Sequence, residues 1–209
     1  MTTVPVREIP GPAGRLEAIL DEPPSVRAAV VFGHPHPQYG GTMHTKVVYQ
    51  SAKAFARTGC AVLRFNYRGV GTSEGAWDEG RGETEDFRAA LDFMHARHPG
   101  VPLWAAGMSF GAWIALTVGA EDTRVSTLVG IAPPLTHYDF ERVRASGKPK
   151  FFIQGERDEI CPLKDMYAFY ARCADPKELV VIDMADHLFD GLVSDVGDAI
   201  EDLLGDWNE

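Results

Sequence analysis

The sequence predicts an α/β fold: a mostly parallel sheet with helices on both faces and an antiparallel hairpin at the N-terminus. Short apolar runs alternate with helical patterns along the chain, and this alternation is typical of parallel strands connected by helices. The run from Ala28 to Phe32 contains only apolar residues, as expected for a strand buried on both faces. A Gly-x-Ser-x-Gly pentapeptide at residues 107–111 lies where a strand gives way to a helix. We expect one domain over residues 1–209.

The first elements are a hairpin, a strand, a helix and a further strand. Residues 4–9 and 15–20 form the predicted hairpin, separated by a turn of glycine, proline and alanine. After the strand at 28–32, a helix is expected from Lys46 to Arg57, closed by a glycine. The segment at 60–65 is the next strand.

A second helix is expected after a glycine-rich loop. Thr84 is its predicted N-cap, with Glu85 and Asp86 in the first turn, where the helix dipole favours negative charge. Phe87 and Met94 mark its buried face.

The remaining segments continue the alternation of strands and helices. The last helix is recognised by apolar residues at helical spacing, which end at Trp207. The predicted strands are 103–106, 126–131, 151–153 and 179–182, and the predicted helices are 113–118, 163–173 and the C-terminal helix that begins near Val193.

Composition and charge exclude several classes of partner. The chain has a formal net charge of −10, whereas a nucleic-acid-binding protein needs a basic face, so no nucleic-acid partner is expected. No stretch approaches the roughly 18 apolar residues that span a bilayer, so no membrane partner is expected either. The N-terminus lacks the basic and apolar segments of a signal peptide, and the three cysteines contain no CxxC pair. These features favour reduced thiols and a cytoplasmic location.

Ser109, at the centre of the pentapeptide, is the candidate nucleophile. Gly-x-Ser-x-Gly at a strand-to-helix turn is typical of a nucleophile elbow, a turn so sharp that its serine takes a strained backbone conformation. Gly107 and Gly111 would let neighbouring chain pass close by. The serine lies at a helix N-terminus, where backbone N–H groups favour developing negative charge. The alternative is an ordinary glycine-rich turn without chemistry.

His187 is the candidate base for this serine. A serine hydroxyl is a weak nucleophile and needs a base, which in turn needs an orienting acid. In an elbow architecture these groups follow in the chain order serine, acid, histidine. His187 lies just after the predicted strand 179–182, and ligands bind beyond the carboxyl ends of parallel strands. The alternative is a solvated loop histidine.

Several carboxylates compete for the role of the acid. The strand 151–153 is followed by a loop that contains Glu156, Asp158 and Glu159. Asp186 is a weaker candidate, because its side chain should point away from that of the adjacent histidine.

The loop that follows the first buried strand is the candidate second half of an oxyanion hole. Such a hole needs two backbone N–H groups, one from Phe110 after the nucleophile and one from a loop after an early strand. Pro35 and Pro37 have no N–H, so only His34 and His36 can donate in this stretch. The position of His36 relative to the strand makes it the better donor, and the flanking prolines would hold it rigidly.

The same histidines raise the alternative of a metal site. His34 and His36 form an H-x-H pair, and His44 could be a third ligand. The pair lacks the usual supporting ligands and no second cluster is evident, so we expect no metal and no other cofactor.

At these residues the chain resembles the α/β-hydrolase superfamily. More narrowly, it is similar to small bacterial serine hydrolases that carry GHPHP followed by GGTM, close to the dienelactone-hydrolase-like esterases. The segments that carry the resemblance extend from about residue 28 to residue 189: they are 33–37, 40–43, 66–73, 107–111, 155–158 and 185–189.

The resemblance implies Ser109 as nucleophile, Asp158 as acid and His187 as base. It also implies hydrolysis of small carboxylic esters or thioesters without a cofactor. Dienelactone hydrolases themselves use a cysteine where this chain has Ser109.

Many members of the superfamily insert a helical cap after the strand that here ends at Ile131. Only residues 132–149 precede the next strand, so no cap domain is expected and the site should be open. The candidate substrate-binding residues are Tyr39, Tyr138 and Leu188. The alternative to an enzyme is a non-catalytic scaffold that binds a ligand or a protein, although such proteins usually lose a member of the triad.

Overall fold

The computed structural model describes residues 6–205 and residue 207, which contain eight strands and six α-helices. A short 3-10 turn, Pro37–Tyr39, follows the first buried strand. The strands are β1 (Glu8–Gly11), β2 (Gly14–Asp21), β3 (Ala28–Gly33), β4 (Cys60–Phe65), β5 (Leu103–Met108), β6 (Val125–Ile131), β7 (Lys150–Gly155) and β8 (Lys177–Ile182). The helices are α1 (Lys46–Arg57), α2 (Arg81–Arg97), α3 (Phe110–Glu121), α4 (Glu141–Ala145), α5 (Leu163–Arg172) and α6 (Val193–Gly205).

All eight strands belong to one sheet in the order β1-β2-β4-β3-β5-β6-β7-β8. The pairs β1–β2 and β2–β4 are antiparallel, and every other pair is parallel. The predicted fold class is therefore confirmed, including the N-terminal hairpin. Residues 1–5, where the hairpin was predicted to begin, lie outside the described residues.

Two apolar cores lie on the two faces of the sheet. One contains Phe55 of α1 and Ile200 of α6, packed against strand residues such as Val30. The other contains Phe87 of α2 and Leu116 of α3. Strands β3, β4, β5 and β7 are buried along their whole length, and β6 is buried except at Ser126, because helices cover both faces of these strands. This burial explains why their sequences are mostly apolar without an alternation of apolar and polar residues.

The start of α2 differs from the prediction, because Thr84 is not its N-cap. The helix begins one turn earlier, after Gly80. The carboxylate of Glu83 accepts the N–H groups of Gly80 at 2.7 Å and of Asp78 at 3.1 Å, which fixes this earlier turn. The Thr84 hydroxyl instead donates to the Gly80 carbonyl at 2.7 Å.

The chain end also differs, because α6 stops at Gly205 and Trp207 lies beyond it. Its ring packs edge-on against Phe151 with centroids 5.3 Å apart, so tertiary packing explains the apolar residue at this position.

The connection between β6 and β7 contains only the five-residue helix α4. The expected absence of a cap domain is therefore confirmed, and the carboxyl end of the sheet is left uncovered there. Among the described residues, none of the helices is both long and apolar enough to cross a membrane. The parallel strands bring the ends of β3, β5, β7 and β8 to one edge of the sheet, and the candidate site lies there.

Candidate active site

Ser109 lies in the tight turn between β5 and α3. Its backbone has φ 54° and ψ −122°, a left-handed conformation that a residue with a side chain rarely adopts. A Cβ atom on Gly111 would overlap the backbone oxygen of Gly33, so only glycine lets β3 pass this close to the turn. The Ser109 N–H donates to the Ile131 carbonyl at 2.9 Å, which ties the turn to the end of β6. The strained turn thus presents the Ser109 side chain at the carboxyl edge of the sheet.

His187 lies on the loop after β8 and contacts Ser109 directly. Its Nε2 atom is 2.9 Å from the Ser109 Oγ atom, and its Nδ1 atom is 2.8 Å from Oδ2 of Asp158. An ionised carboxylate can only accept hydrogen bonds, so Nδ1 carries the proton and Nε2 is free to accept the serine proton. All three residues are at most 9% exposed. The structure therefore brings the predicted nucleophile, acid and base into one hydrogen-bonded chain.

Asp158 is held in place by three hydrogen bonds besides the one to His187. Its Oδ1 atom accepts the backbone N–H groups of Ile160 at 2.9 Å and Cys161 at 2.7 Å. Its Oδ2 atom also accepts from Nε2 of Gln154 at 3.0 Å. Four hydrogen bonds, counting that from His187, fix both the position and the orientation of this buried carboxylate.

Two of the competing carboxylates, Glu156 and Asp186, have other partners. Glu156 accepts the N–H of Met184 at 2.8 Å. Asp186 accepts the N–H groups of Leu188 at 3.0 Å and Asp190 at 3.1 Å, so it shapes the loop that carries His187. Of the carboxylates weighed from the sequence, Asp158 is the one bonded to His187.

The two predicted oxyanion donors, His36 and Phe110, border the same pocket as Ser109. Phe110 is the first residue of α3, and its N–H has no acceptor within the helix. Neither N–H donates to another group in the part of the chain that the structure describes. The rings of His36 and Phe110 are 5.0 Å apart, so the two segments are neighbours.

A pocket of about 420 Å³ opens in front of Ser109. The three predicted substrate-binding residues, Tyr39, Tyr138 and Leu188, all line it. Tyr39 is 86% exposed and Leu188 is 49% exposed, which leaves the mouth of the pocket open. The other lining residues are Pro35, His36, Phe110, Pro134, His137, Ile160 and His187.

Comparison with known proteins agrees with this geometry. The family described as "Serine aminopeptidase, S33" matches residues 24–143. A curated protein of Rickettsia prowazekii, described as uncharacterized, is 35% identical over 204 residues, which is 93% of this chain and 86% of that protein. The chain belongs to the α/β-hydrolase superfamily.

Two solved α/β-hydrolase structures are similar along nearly the whole chain. An alpha-beta serine hydrolase homologue from Coxiella burnetii has a TM-score of 0.90 at 35% identity and covers 98% of both chains. A serine hydrolase without lid from Xanthomonas campestris has a TM-score of 0.86 at 34% identity, covering 95% of this chain and 92% of its own. The chain is therefore similar to α/β serine hydrolases, one of which is described as having no lid, as its own short β6–β7 connection would suggest.

Two residues that were not predicted from the sequence complete the site of this α/β-hydrolase. Gln154 is a fully buried polar residue in β7, and its Nε2 atom also donates to the Cys161 carbonyl at 2.7 Å. A glutamine within a strand otherwise buried on both faces was the signal that could have revealed it. Ile160 lines the pocket and is 51% exposed, but nothing in its local sequence distinguishes it from an ordinary loop residue.

Cys161 is the other reactive group close to His187 and Asp158. Ligand atoms of these three residues lie within 4.8 Å of one another, which makes them the one candidate metal-binding group among the described residues. Burial raises the pKa of the Cys161 thiol well above its ordinary value, and the thiol donates to the Ala132 carbonyl at 3.3 Å. The thiol is therefore protonated and already engaged, and Asp158 and His187 are bonded to each other.

Both ring nitrogens of His34 are also engaged, which removes that residue from the alternative metal site of His34, His36 and His44. Nδ1 lies 2.6 Å from the Pro35 carbonyl oxygen, and Nε2 accepts the N–H of Tyr67 at 3.1 Å. In His36, Nδ1 accepts the N–H of Gln38 at 3.2 Å.

Proposed function

We propose that this α/β-hydrolase cleaves small carboxylic esters or thioesters through an acyl-enzyme. The observation that carries the proposal is the hydrogen-bonded chain from Ser109 through His187 to Asp158, which faces an open pocket. In this arrangement a serine hydroxyl gains a base, and the base gains a fixed orientation and tautomer.

The reaction would begin when Oγ of Ser109 attacks the ester carbonyl carbon while Nε2 of His187 takes the serine proton. The new Oγ–C bond gives a tetrahedral intermediate, whose collapse breaks the bond to the leaving group. The alcohol or thiol departs with the proton from His187. A water molecule then attacks the acyl-enzyme by the same route and releases the carboxylic acid.

The negative charge on the tetrahedral intermediate would be stabilised by the N–H groups of Phe110 and His36. The N–H of Ser109 itself is committed to the Ile131 carbonyl and is not available. Donors that are fixed before the reaction cost no reorganisation when the charge develops, and one such donor contributes about 10²- to 10³-fold to kcat.

Esters fit this site better than the peptides that the name of the matched family suggests. An aminopeptidase must bind a protonated α-amino group, for which a carboxylate in the pocket is the natural partner. Among the described residues, no aspartate or glutamate lines the pocket, since Asp158 lies buried behind His187. No observation favours the non-catalytic scaffold. The relationship to dienelactone-hydrolase-like esterases stays a prediction.

The test is hydrolysis of p-nitrophenyl butyrate together with labelling by a fluorophosphonate probe. The wild-type protein should hydrolyse the ester and react with the probe, and Ser109→Ala should lose the labelling and about 10⁴-fold or more of kcat. Iodoacetamide at neutral pH should leave the activity unchanged, because burial keeps the Cys161 thiol protonated.

Two results would contradict the proposal. Hydrolysis that survives in Ser109→Ala would mean that another group, such as a thiol, is the nucleophile. A folded wild-type protein that is neither labelled nor active on a panel of esters and thioesters would favour the scaffold alternative.

A further inference from the structure

No permanently charged side chain lines the pocket in front of Ser109 in the part of the chain that the structure describes. None of its described lining residues is a lysine, arginine, aspartate or glutamate. Burial holds the pKa of His36 below its ordinary value, so this ring is neutral at pH 7. A carboxylate that entered the pocket would lose hydration without gaining a cationic partner.

The pocket also has an aromatic side that is held firmly. The ring of Phe110 lies 5.0 Å from His36 and 6.1 Å from Tyr138. Tyr138 is in turn stacked on Trp113, with centroids 4.0 Å apart and planes inclined by 10°. Aromatic rings attract one another through their quadrupoles beyond the effect of buried area, in edge-to-face and offset geometries. A planar ring in the substrate would find such partners here, whereas a saturated ring would not.

We propose that the pocket selects uncharged esters, prefers an aromatic ring to a saturated ring of the same size, and rejects substrates that carry a carboxylate. This selectivity rests on the proposed ester hydrolysis and names its substrate class.

Matched pairs of ethyl esters, followed by acid release at constant pH, test this selectivity. Ethyl hexanoate and monoethyl adipate differ by a methyl and a carboxylate at the end of the same chain, and the neutral ester should have at least about a tenfold higher kcat/KM. Ethyl benzoate should exceed ethyl cyclohexanecarboxylate by about three- to tenfold. The protein's net charge of −10 could also repel the anion, so the first pair is repeated in about 0.5 M salt, where the Debye length is only about 4 Å.

A charge placed in the pocket provides the second test. Ile160→Lys should shift the kcat/KM ratio of the first pair about tenfold toward monoethyl adipate, because the new ammonium lies where the carboxylate would bind. Tyr167→Lys is the matched control: Tyr167 is also 51% exposed, but it lies outside the pocket lining. The control should leave the ratio unchanged.

The selectivity is overturned if the adipate ester is hydrolysed as well as the hexanoate at high salt, or if the saturated ring is preferred. It is also overturned if both lysine variants shift the ratio equally. A wild-type protein that hydrolyses none of the four esters and is not labelled by a fluorophosphonate contradicts the proposed function instead, so the two failures are distinguishable.

A second inference concerns His34, which is fully buried behind the pocket. Its Nε2 accepts the N–H of Tyr67 at 3.1 Å, so its Nδ1 carries the proton and donates to the Pro35 carbonyl at 2.6 Å. Burial lowers the pKa of His34 to about 4, which keeps this neutral tautomer at physiological pH. Its ring is further held edge-on against Tyr67, with centroids 4.7 Å apart.

The carbonyl that His34 binds belongs to the same peptide unit as the N–H of His36. A trans peptide is planar, and its C=O and N–H point in opposite directions. A bond that fixes the Pro35 oxygen on the buried side therefore fixes the His36 N–H on the other side. The Pro35 oxygen is also enclosed by Gly41, where a Cβ atom would overlap it.

The structure assigns His34 as the positioning residue that orients the Pro35–His36 peptide so that its N–H serves as an oxyanion donor. This role rests on the proposed function. Without the bond from His34, the peptide can rotate and present its carbonyl oxygen, which would repel the developing negative charge.

Two substitutions test the two hydrogen bonds of His34 one at a time. His34→Asn can keep a donor near the Nδ1 position for the Pro35 carbonyl, and His34→Gln can keep an acceptor near the Nε2 position for Tyr67. We expect His34→Gln to lower kcat about 10²-fold with KM changed less than about threefold, and His34→Asn to lower it several-fold less. The affinity for a trifluoromethyl ketone, which forms a tetrahedral adduct, should fall in parallel with kcat/KM.

If His34 mattered only for packing, both substitutions would lower the melting temperature. They would then change kcat by similar amounts, and would not lower kcat while leaving KM nearly unchanged. Equal kcat and inhibitor affinity in folded His34→Gln and wild-type protein would overturn the assignment. If both variants fail to fold, a crystal structure of the wild-type adduct decides the question. The adduct oxygen should lie about 3 Å from the His36 nitrogen, and an oxygen directed elsewhere overturns the assignment.

Discussion

The molecule is built differently behind Ser109 and in front of it. Behind the serine, Asp158 is 4% exposed and both of its oxygens accept two hydrogen bonds. In front of it, Tyr39 is 86% exposed and Leu188 is 49% exposed. The difference separates two requirements of a hydrolase: proton transfer needs fixed polar atoms, whereas a binding surface needs only suitable shape and polarity. Substitutions behind the serine should therefore change kcat, and those in front should change KM.

The largest expected effect lies behind the serine, in Asp158→Asn. The asparagine oxygen would take the position of Oδ1, which accepts two backbone N–H groups, and its amide group would then face Nδ1 of His187. His187 would have to shift its proton to Nε2, where it can no longer accept the serine proton. We expect kcat to fall by about 10⁴-fold with little change in KM.

Steady-state kinetics on p-nitrophenyl butyrate would measure this effect. Glu156→Gln is the control in the same loop, since Glu156 binds the Met184 N–H and not His187. It should stay within about threefold of the wild type. A fall in kcat of similar size in both variants would mean that the loop, and not the Asp158 charge, matters.

A smaller effect is expected for Gln154→Leu, one step further from the serine. The change removes the hydrogen bond to Oδ2 of Asp158 and leaves the Cys161 carbonyl without its partner. We expect kcat to fall about tenfold and the free energy of unfolding to fall by about 1–3 kcal/mol. Urea unfolding and kinetics measure the two quantities, with Gln50→Leu on α1 as a control. An unchanged kcat would mean that the hydrogen bond from Gln154 is not needed to hold Asp158 in its catalytic position.

The smallest effect is expected in front of the serine, for Tyr39→Ala. The side chain is almost fully exposed and contacts the ring of His36 with centroids 4.7 Å apart. We expect KM for ethyl benzoate to rise about threefold, kcat to stay within about twofold, and the melting temperature to remain the same. A loss of kcat beyond about tenfold would show that the two sides are not independent, because Tyr39 would then also hold the His36 peptide.

The sequence predicted most of the fold because strong local signals and tertiary packing agree. The strand at Ala28–Phe32 and the helix at Lys46–Arg57 have uniform or strictly periodic apolar patterns, and both occur in the structure. The N-terminus of α2 was predicted wrongly, because Thr84 is a good N-cap by type. A carboxylate one residue earlier, Glu83, instead binds two N–H groups across the preceding loop. Such a contact depends on the path of the loop.

The candidate site likewise contains residues that the sequence predicted and a choice that only the structure explains. The glycine-flanked motif indicated Ser109, and chain order together with the position after a strand indicated His187. Glu156 and Glu159 competed with Asp158 for the role of the acid, and the resemblance favoured Asp158. Only the structure distinguishes these carboxylates physically, because it directs the backbone N–H groups of Ile160 and Cys161 at Asp158. Side-chain type and spacing cannot encode that direction, since all three candidates lie within one loop.

By itself, the sequence determined the alternation of strands and helices and the three residue types that chemistry at a strained serine requires. Apolar periodicity and a glycine-flanked serine are local properties of the sequence, so they do not depend on the conformation of the loops. Tertiary structure alone decided which side chains come together. It produced the four hydrogen bonds on Asp158, the hydrogen bond between His34 and the Pro35 carbonyl, and a pocket lined without Lys, Arg, Asp or Glu among the described residues. Those features join residues from separate strand ends, and only the folded sheet brings those ends to one edge.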